Sequence, residues 1–321
     1  MSQPFESLPT ALTADELVDK AFSRAARAGR AKSGIDAQQS MLSTAANIVS
    51  DNLENVVTDW PDLADLDPFY YELADAIADV DELRKHLNEL GWASRKATDI
   101  RQEYERRLYA GDAETARKLR KQAFARLADI VEEIEGDIAA LAEAREQLRD
   151  LPDIRPDEPT VVVAGYPNVG KSSFVNAVTR ADNETATYPF TTTRIHVGHF
   201  ERDHIRYQLV DTPGLLDRPP EDRNDVEAQA VSALAHAADA VLVLLDASGE
   251  CGYPREVQLD LLADVRERFE APVLSVCNKA DRSRDVDADY YMSVTESENV
   301  EAVLDGAVEA VGYEPELPFE G

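Results

Sequence analysis

The sequence predicts an all-α helical bundle followed by an α/β domain with a mostly parallel, doubly wound sheet. Up to about residue 152 the chain carries helix signals and no convincing strand pattern. From Thr160 onward, short apolar runs alternate with amphipathic stretches, and this alternation is typical of a parallel sheet covered by helices on both faces. Three prolines between residues 152 and 159 separate the two parts. We therefore predict domains at 1–156 and 157–321.

The first half predicts five helices. Thr13 and Glu16 form a capping-box pattern, in which each side chain pairs with a backbone N–H at the helix start. The apolar spacing behind them continues to Gly34. Four more helices are expected at about 36–57, 68–91, 93–109 and 113–150. Because the breaks between them are short, the helices should form an antiparallel bundle.

The second half predicts a parallel sheet. Runs suited to strands that are buried on both faces lie at 160–164, 205–210, 240–245 and 272–277, with a weaker one near 290–294. Helices are expected at about 171–180, 226–237 and 254–269. Ligands of such folds bind at loops that leave the carboxyl ends of the strands. The polar motifs that follow these strands are therefore the candidate functional residues.

Composition narrows the classes of function. The chain has 63 acidic and 33 basic residues and a net charge of −30. Such an acidic excess is typical of proteins from very salty cytoplasm. It also disfavours non-specific binding of nucleic acid, because the phosphates are repelled. Two cysteines, Cys251 and Cys277, cannot form a disulfide framework and lack metal-ligand spacing. Neither an apolar run of about 18 residues nor a signal-peptide pattern is found. We expect a cytoplasmic protein whose partners include neither DNA nor a membrane.

The first apolar run leads into a phosphate-loop pattern. Its residues are Gly165, Tyr166, Pro167, Asn168, Val169, Gly170, Lys171, Ser172 and Ser173. The glycines allow backbone N–H groups to surround phosphates at the positive end of a helix. Lys171 is expected to reach the outer phosphates, and the Ser172 hydroxyl to ligate Mg²⁺. A plain glycine-rich turn is the alternative, which the strand–loop–helix context disfavours.

A second motif, Asp211-Thr-Pro-Gly214, follows the run at 205–210. Asp211 would hold Mg²⁺ through its water shell, and the Gly214 N–H would contact the terminal phosphate. Such a D-x-x-G pattern alone is little more than a turn. Its position after a strand, downstream of the phosphate loop, makes it a strong signal.

A third motif, formed by Asn278, Lys279 and Asp281, follows the run at 272–277. The Asp281 carboxylate offers two acceptors to the N1–H and 2-amino groups of guanine, whereas adenine would leave it unpaired. Sites built on such pairing can reject the wrong base by ~10⁴-fold or more. An isolated solvated turn is the alternative, but three motifs in order leave it little weight. The sequence predicts binding of GTP or GDP.

Two loops should complete the nucleotide site. G proteins need a threonine between the first two motifs to complete the Mg²⁺ shell and sense the γ-phosphate. Thr192 is the favoured candidate and Thr191 the alternative. Backbone groups near Ser293 and Val294 could close the pocket around the base.

With these motifs in place, the chain resembles the nucleolar GTP-binding protein (NOG-type) family of the Obg-like branch of translation-factor-related GTPases, including its archaeal members. Residues 165–173 and 188–192 are similar to the branch, and residues 211–230 and 250–253 to the family. The resemblance implies a helical domain before a P-loop GTPase domain, GTP hydrolysis with Mg²⁺, and a switch role in large-subunit assembly. The acidic composition suits a salt-adapted member.

The sequence also predicts an unusual route to hydrolysis. Many G proteins place a glutamine after the D-x-x-G glycine to orient the attacking water, but Leu215 stands there. Similar Obg-branch GTPases use K⁺ beside the phosphates, held partly by an asparagine that corresponds to Asn168. A loop-capping amide is the alternative interpretation of Asn168. We expect Lys171, Thr192, Gly214 and Asn168 to be the catalytic residues.

A basic segment marks the helical half. Residues 95–126 hold ten bases and five acids, in contrast to the rest of the chain. Ribosomal RNA of a large-subunit precursor could dock there through its phosphates. A solvated helix face with i,i+4 ion pairs, such as Glu103–Arg107, is the alternative. The predicted function is a GTP-hydrolysing switch in large-subunit assembly; the alternative is a slow-cycling scaffold with little intrinsic hydrolysis.

Overall fold

The computed structural model describes residues 3–179, 184–187, 194–217 and 223–313. It separates into two compact units that alternate along the chain. The helical unit comprises Ser7–Asp65 and Ala78–Arg149, and the sheet unit comprises Met1–Glu6, Leu66–Ile77 and Asp150–Gly321. Because these units interleave, the single boundary between residues 156 and 157 remains a prediction.

The helical unit contains five helices: α1 Ala14–Arg30, α2 Gly34–Asp59, α4 Val80–Leu108, α5 Ala113–Glu133 and α6 Glu135–Leu148. The capping box of Thr13 and Glu16 is present as predicted. Small residues let α2 and α4 approach closely, and the Ser94 hydroxyl donates to the carbonyl of Ser50 at 3.1 Å. Among the residues described, no helix is long and apolar enough to cross a membrane.

Helix boundaries differ from the prediction in three places. The predicted helix at 68–91 breaks at Asp79, whose φ is 51° and whose side chain caps α4 by accepting from the N–H groups of Asp81 and Glu82. Gly91 does not end a helix but lies buried inside α4. The predicted helix at 113–150 is divided at Ile134, which leaves the helical conformation between α5 and α6.

In the described part of the chain, the sheet unit has seven strands, which lie side by side in the order β2-β3-β4-β1-β5-β6-β7. They are β1 Thr160–Ala164, β2 Glu184–Thr187, β3 Arg194–Arg202, β4 Ile205–Asp211, β5 Ala240–Asp246, β6 Val273–Asn278 and β7 Tyr290–Tyr291. Strands β4, β1, β5, β6 and β7 are parallel, and β2 and β3 pair antiparallel at one edge. The predicted fold class, a helical domain followed by a mostly parallel α/β domain, is confirmed.

The helices of the sheet unit are α3 Pro68–Ala78, α7 Lys171–Val178, α8 Asp225–Ala237, α9 Arg255–Arg268 and α10 Val300–Val311. Strands β1 and β5 are buried along their whole length, as their apolar sequences predict. A capping box of Asn224 and Glu227 begins α8. Residues 279–289, all within the described part, contain no helix.

The sheet unit includes two segments from the first half of the chain. Tyr70 of α3 is buried and its hydroxyl donates to the carbonyls of Ile154 at 2.7 Å and Pro152 at 3.3 Å. Gln3 donates from its backbone to Asp153 at 3.1 Å and from its side chain to the carbonyl of Leu151 at 3.2 Å. Residues 150–155 are therefore bound by Gln3, which precedes the helical segment Ser7–Asp65, and by Tyr70, which follows it.

Gln208 fixes the segment that enters β1. This buried side chain accepts from the N–H of Arg155 at 2.8 Å. Its amide donates to the carbonyls of Arg155 at 2.8 Å and Glu158 at 3.1 Å, and to the Thr160 hydroxyl at 3.0 Å. One side-chain amide thus pairs with three backbone groups of the segment that enters β1 and with the Thr160 hydroxyl.

We predict that Gln208→Leu destabilises the sheet unit by roughly 2–4 kcal/mol, because buried N–H and C=O groups lose their partners. Urea unfolding followed by circular dichroism measures the change. Gln229→Leu, at an exposed position on α8, is the control and should change stability by less than about 0.5 kcal/mol. Equal stabilities of the two variants would contradict this role of Gln208.

Candidate functional site

The predicted phosphate loop connects β1 to α7 and depends on two glycines. Gly165 has φ 136°, and a Cβ there would lie 2.5 Å from the carbonyl oxygen of Leu244. Gly170 has φ 106°, and a Cβ there would collide with the side-chain amide of Asn278. Only glycine allows the loop to turn this closely against β5 and the third motif, Asn278, Lys279 and Asp281, which we call the base motif.

Lys171 lies within this loop. Its side chain is buried, and its ammonium group donates to the carbonyls of Gly165 at 2.5 Å and Tyr166 at 3.1 Å. Burial lowers the pKa of Lys171, while the charges of Asp217 and Asp211 act in the opposite direction. The loop therefore holds a lysine whose charge is incompletely compensated, which suits it to a phosphate.

Ser172 and Asp211 meet as the second motif predicts. The Ser172 hydroxyl donates to Asp211 Oδ2 at 2.5 Å. Asp211 is fully buried, and burial raises the pKa of its carboxyl. Its other oxygen, Oδ1, has no hydrogen-bond partner among the described residues. A buried, unpaired carboxylate oxygen beside a serine hydroxyl fits a hydrated Mg²⁺ ion, which prefers one or two protein ligands and several waters.

Gly214 adopts φ 81°, and its N–H donates to Asp217 Oδ2 at 2.6 Å. From the sequence, this N–H was expected to contact the terminal phosphate, and a contact with Asp217 was not expected. The N–H that was expected to bind a phosphate is therefore bonded to the carboxylate of Asp217, which is negatively charged as a phosphate is. Thr191 and Thr192, the predicted γ-phosphate sensors, lie outside the described residues.

Asn278 joins the base motif to the phosphate loop. Its buried amide donates to the carbonyl of Val169 at 2.8 Å, and its Oδ1 accepts from the N–H of Val294 at 3.4 Å. Ser293 is buried beside it, and the Ser293 hydroxyl accepts from the N–H of Glu296 at 3.2 Å. The structure thus brings both predicted closing residues, Ser293 and Val294, to the base motif.

Lys279 and Asp281 occupy different environments. Lys279 has φ 54°, and its ammonium group donates to Asp246 Oδ2 at 2.6 Å. Burial acts to raise the pKa of Asp246, but hydrogen bonds from Lys279 and Ser248 outweigh it and hold that pKa below its usual value. Asp281 is exposed and lies 3.7 Å from the Arg282 guanidinium. Its carboxylate is accessible to a base.

Sequence reasoning missed Asp246, although this residue directly follows the predicted strand at 240–245. An aspartate that ends a fully apolar run, one strand away from the base motif, is a signal that could have found it.

Two family descriptions match this chain. Residues 5–155 match the NOG1 N-terminal helical domain, and residues 160–279 match a 50S ribosome-binding GTPase. The chain belongs to the nucleolar GTP-binding protein 1 (NOG1) family. It is a GTP-binding protein of that family, and the resemblance inferred from its motifs is confirmed.

Relatives of this chain include an uncharacterised protein of Methanocaldococcus jannaschii, which is 39% identical over 290 residues that cover 87% of this chain and 81% of that protein. Nucleolar GTP-binding protein 1 of Drosophila melanogaster is 38% identical over 72% of this chain, which spans 36% of the fly protein's length. A solved structure of nucleolar GTP-binding protein 1 from Plasmodium falciparum is 32% identical, covers 50% of this chain and 90% of its own, and has a TM-score of 0.46.

We predict that Asp281→Asn changes the base preference of the site from guanine to xanthine. An asparagine can accept from N1–H but donates toward position 2, where guanine has an amino group and xanthine an oxygen. Affinity for GDP should fall by at least about 100-fold. The variant should then bind xanthosine diphosphate more tightly than GDP. Titration with fluorescent nucleotides measures both affinities.

Asp285→Asn, an exposed carboxylate in the same loop, is the control and should bind GDP as the native chain does. If Asp281→Asn kept the native preference for GDP, Asp281 would not contact the base.

Proposed function

We propose that this protein hydrolyses GTP to GDP and phosphate and acts as a switch in assembly of the large ribosomal subunit. The observation that carries the proposal is the 2.8 Å hydrogen bond from Asn278 to the Val169 carbonyl, because it holds the base motif against the phosphate loop. One guanine nucleotide can then contact both. The match of residues 160–279 to a 50S ribosome-binding GTPase supports a role at the ribosome.

The residues of the site would have separate roles in phosphoryl transfer. Lys171 would bind the outer phosphates, and Ser172 and Asp211 would hold Mg²⁺, which neutralises phosphate charge when bound. Gly214 would donate its N–H to the terminal phosphate once Asp217 gives up that contact. Thr192 is proposed to complete the Mg²⁺ shell.

A slow-cycling scaffold is the second candidate function. The observation that favours it is Leu215, which is fully buried and stands where many G proteins have a water-orienting glutamine. An apolar side chain cannot orient water, so hydrolysis needs another group. Asn168 lies on the exposed part of the phosphate loop with φ 64°, where its amide is accessible to a monovalent cation.

We predict that replacing Na⁺ by K⁺ raises the single-turnover GTPase rate at least about tenfold, because a cation beside the phosphates offsets charge that develops in the transition state. Phosphate release is measured at constant ionic strength. Asn168→Ala should remove most of the K⁺ response, whereas Asn176→Ala, at an exposed position on α7, should keep it.

A full K⁺ response in Asn168→Ala would reject the assignment of Asn168. No hydrolysis in either salt, with or without large ribosomal subunits, would favour the scaffold.

The partner surface is proposed on the helical unit. Part of the basic segment 95–126 is neutralised: Glu103 pairs with Arg107 and Arg126, and Lys118 pairs with Glu114. The exposed bases that have no carboxylate within ion-pair distance in the described chain are Arg95, Lys96, Arg106, Arg117 and Lys121. These remain available to the phosphates of ribosomal RNA.

Helix α1 adds bases that the sequence analysis did not identify. Residues 20–32 carry five bases and no acid. Phe22 of α1 stacks on Phe124 of α5 at 4.5 Å, and the Arg120 guanidinium lies 4.8 Å from the centre of the Phe124 ring. Because the aromatic stack joins the two helices, their exposed bases belong to neighbouring parts of one unit and can act together on RNA.

We predict that Arg117→Glu with Lys121→Glu lowers affinity for large ribosomal subunits by about tenfold or more and reduces its salt dependence, because phosphate contacts are lost. Sedimentation at several salt concentrations measures the affinity. Lys85→Glu with Arg149→Glu makes the same change in net charge at bases that pair with Glu82 and Glu146, and should sediment as the native chain does. Equal losses in the two double variants would indicate a general charge effect instead.

A further inference from the structure

Asp246 is a buried carboxylate that accepts four donors from two loops. It ends β5 and is 1% exposed. Its Oδ1 accepts from the backbone N–H of Ser248 at 2.9 Å and from the Ser248 hydroxyl. Its Oδ2 accepts from the N–H of Cys251 at 2.9 Å and from the Lys279 ammonium at 2.6 Å. The charge is therefore fully hydrogen-bonded, and one of its partners belongs to the base motif.

Gln258 of α9 fixes the loop that carries Asp246. This buried amide accepts from the N–H of Asp246 at 2.8 Å. It donates to the carbonyls of Asp246 at 3.1 Å and Tyr253 at 2.9 Å, and to the sulfur of Cys251 at 3.4 Å. The loop 246–253 is thereby attached to α9 at its first residue, its last residue and one residue between them.

Tyr253 carries the loop to the other end of the nucleotide site. Its ring stacks on Tyr166 of the phosphate loop, with centroids 4.3 Å apart and planes at 27°. Tyr166 is buried, and its carbonyl accepts from the Lys171 ammonium. The loop 246–253 therefore contacts the phosphate loop through Tyr253 and the base motif through Asp246.

A buried carboxylate is a costly way to stabilise a loop, since an apolar or amide side chain avoids the desolvation of a charge. Its use here is explained by its partner. Lys279 has a left-handed backbone and a long flexible side chain, and a fixed charge restricts that side chain to one position. The stacked tyrosines restrict the phosphate loop in the same way.

We propose that Asp246, Gln258 and Tyr253 are positioning residues that hold the base motif and the phosphate loop in one arrangement and thereby slow the release of guanine nucleotide. The proposal rests on guanine-nucleotide binding at this site but not on hydrolysis. Asp246 acts through Lys279, and Tyr253 acts through Tyr166. Gln258 connects the two by fixing the loop between them.

The test measures dissociation of fluorescent GDP from the full chain in Mg²⁺. Asp246→Asn removes the charge that holds Lys279 and should speed release by about tenfold or more. Asp289→Asn is the matched control, because Asp289 also accepts from a serine N–H and hydroxyl, those of Ser275 at 2.8 and 2.7 Å. The control should release GDP at the native rate.

A double variant separates positioning from plain structural support. If Asp246 acts through Lys279, then Asp246→Asn should add less than about twofold to the release rate of Lys279→Met. Full additivity of the two effects, or native release by Asp246→Asn, would overturn the proposal for Asp246.

Tyr253 gives a second test that does not depend on a buried charge. Tyr253→Ala should speed GDP release several-fold, whereas Tyr253→Phe keeps the stacked ring and should release at the native rate. Native release by Tyr253→Ala would overturn the role of the stack. Failure of the native chain to bind GDP would instead refute the proposed function, so the two failures are distinguishable.

Discussion

The parallel ladder of β4, β1, β5 and β6 is the constraint on which the site depends. Val163 of β1 pairs with Asp211 of β4, and Asp246 of β5 pairs with Asn278 of β6. Because the register places these strand ends at one edge of the sheet, motifs far apart in sequence become neighbours. The contacts Ser172–Asp211, Asn278–Val169 and Lys279–Asp246 all follow from that register.

Burial determines the electrostatics of this edge. It lowers the pKa of Lys171 and raises that of Asp211, so each group is pushed toward its neutral form. A polyphosphate and a divalent cation supply the opposite charges that favour the ionised forms. By contrast, the hydrogen bonds to Asp246 reverse the effect of burial from within the protein. The charge of Asp211 is therefore suited to a bound ligand, whereas the charge of Asp246 is stabilised by groups of the protein.

The parallel strands and the three nucleotide motifs could be predicted from sequence because their signals are local. Strands buried on both faces are apolar throughout, and each motif is a short pattern beside such a strand. The edge strands β2 and β3 carry polar residues along most of their length and therefore lack the apolar runs that identify the buried strands. The break at Asp79 and the continuous helix through Gly91 depend on tertiary packing, which overrides local helix signals. The pairing of Asp246 with Lys279 joins residues 33 positions apart and has no sequence period.

The interleaving of the two units has a consequence for synthesis. Gln3 binds residues 151 and 153, and Tyr70 binds residues 152 and 154, so early segments of the sheet unit find their partners only after the helical unit has been translated. On the ribosome, the helical unit can fold first, while these early segments still lack their hydrogen-bond partners. An exchange of genetic segments at a single boundary could not transfer either unit whole.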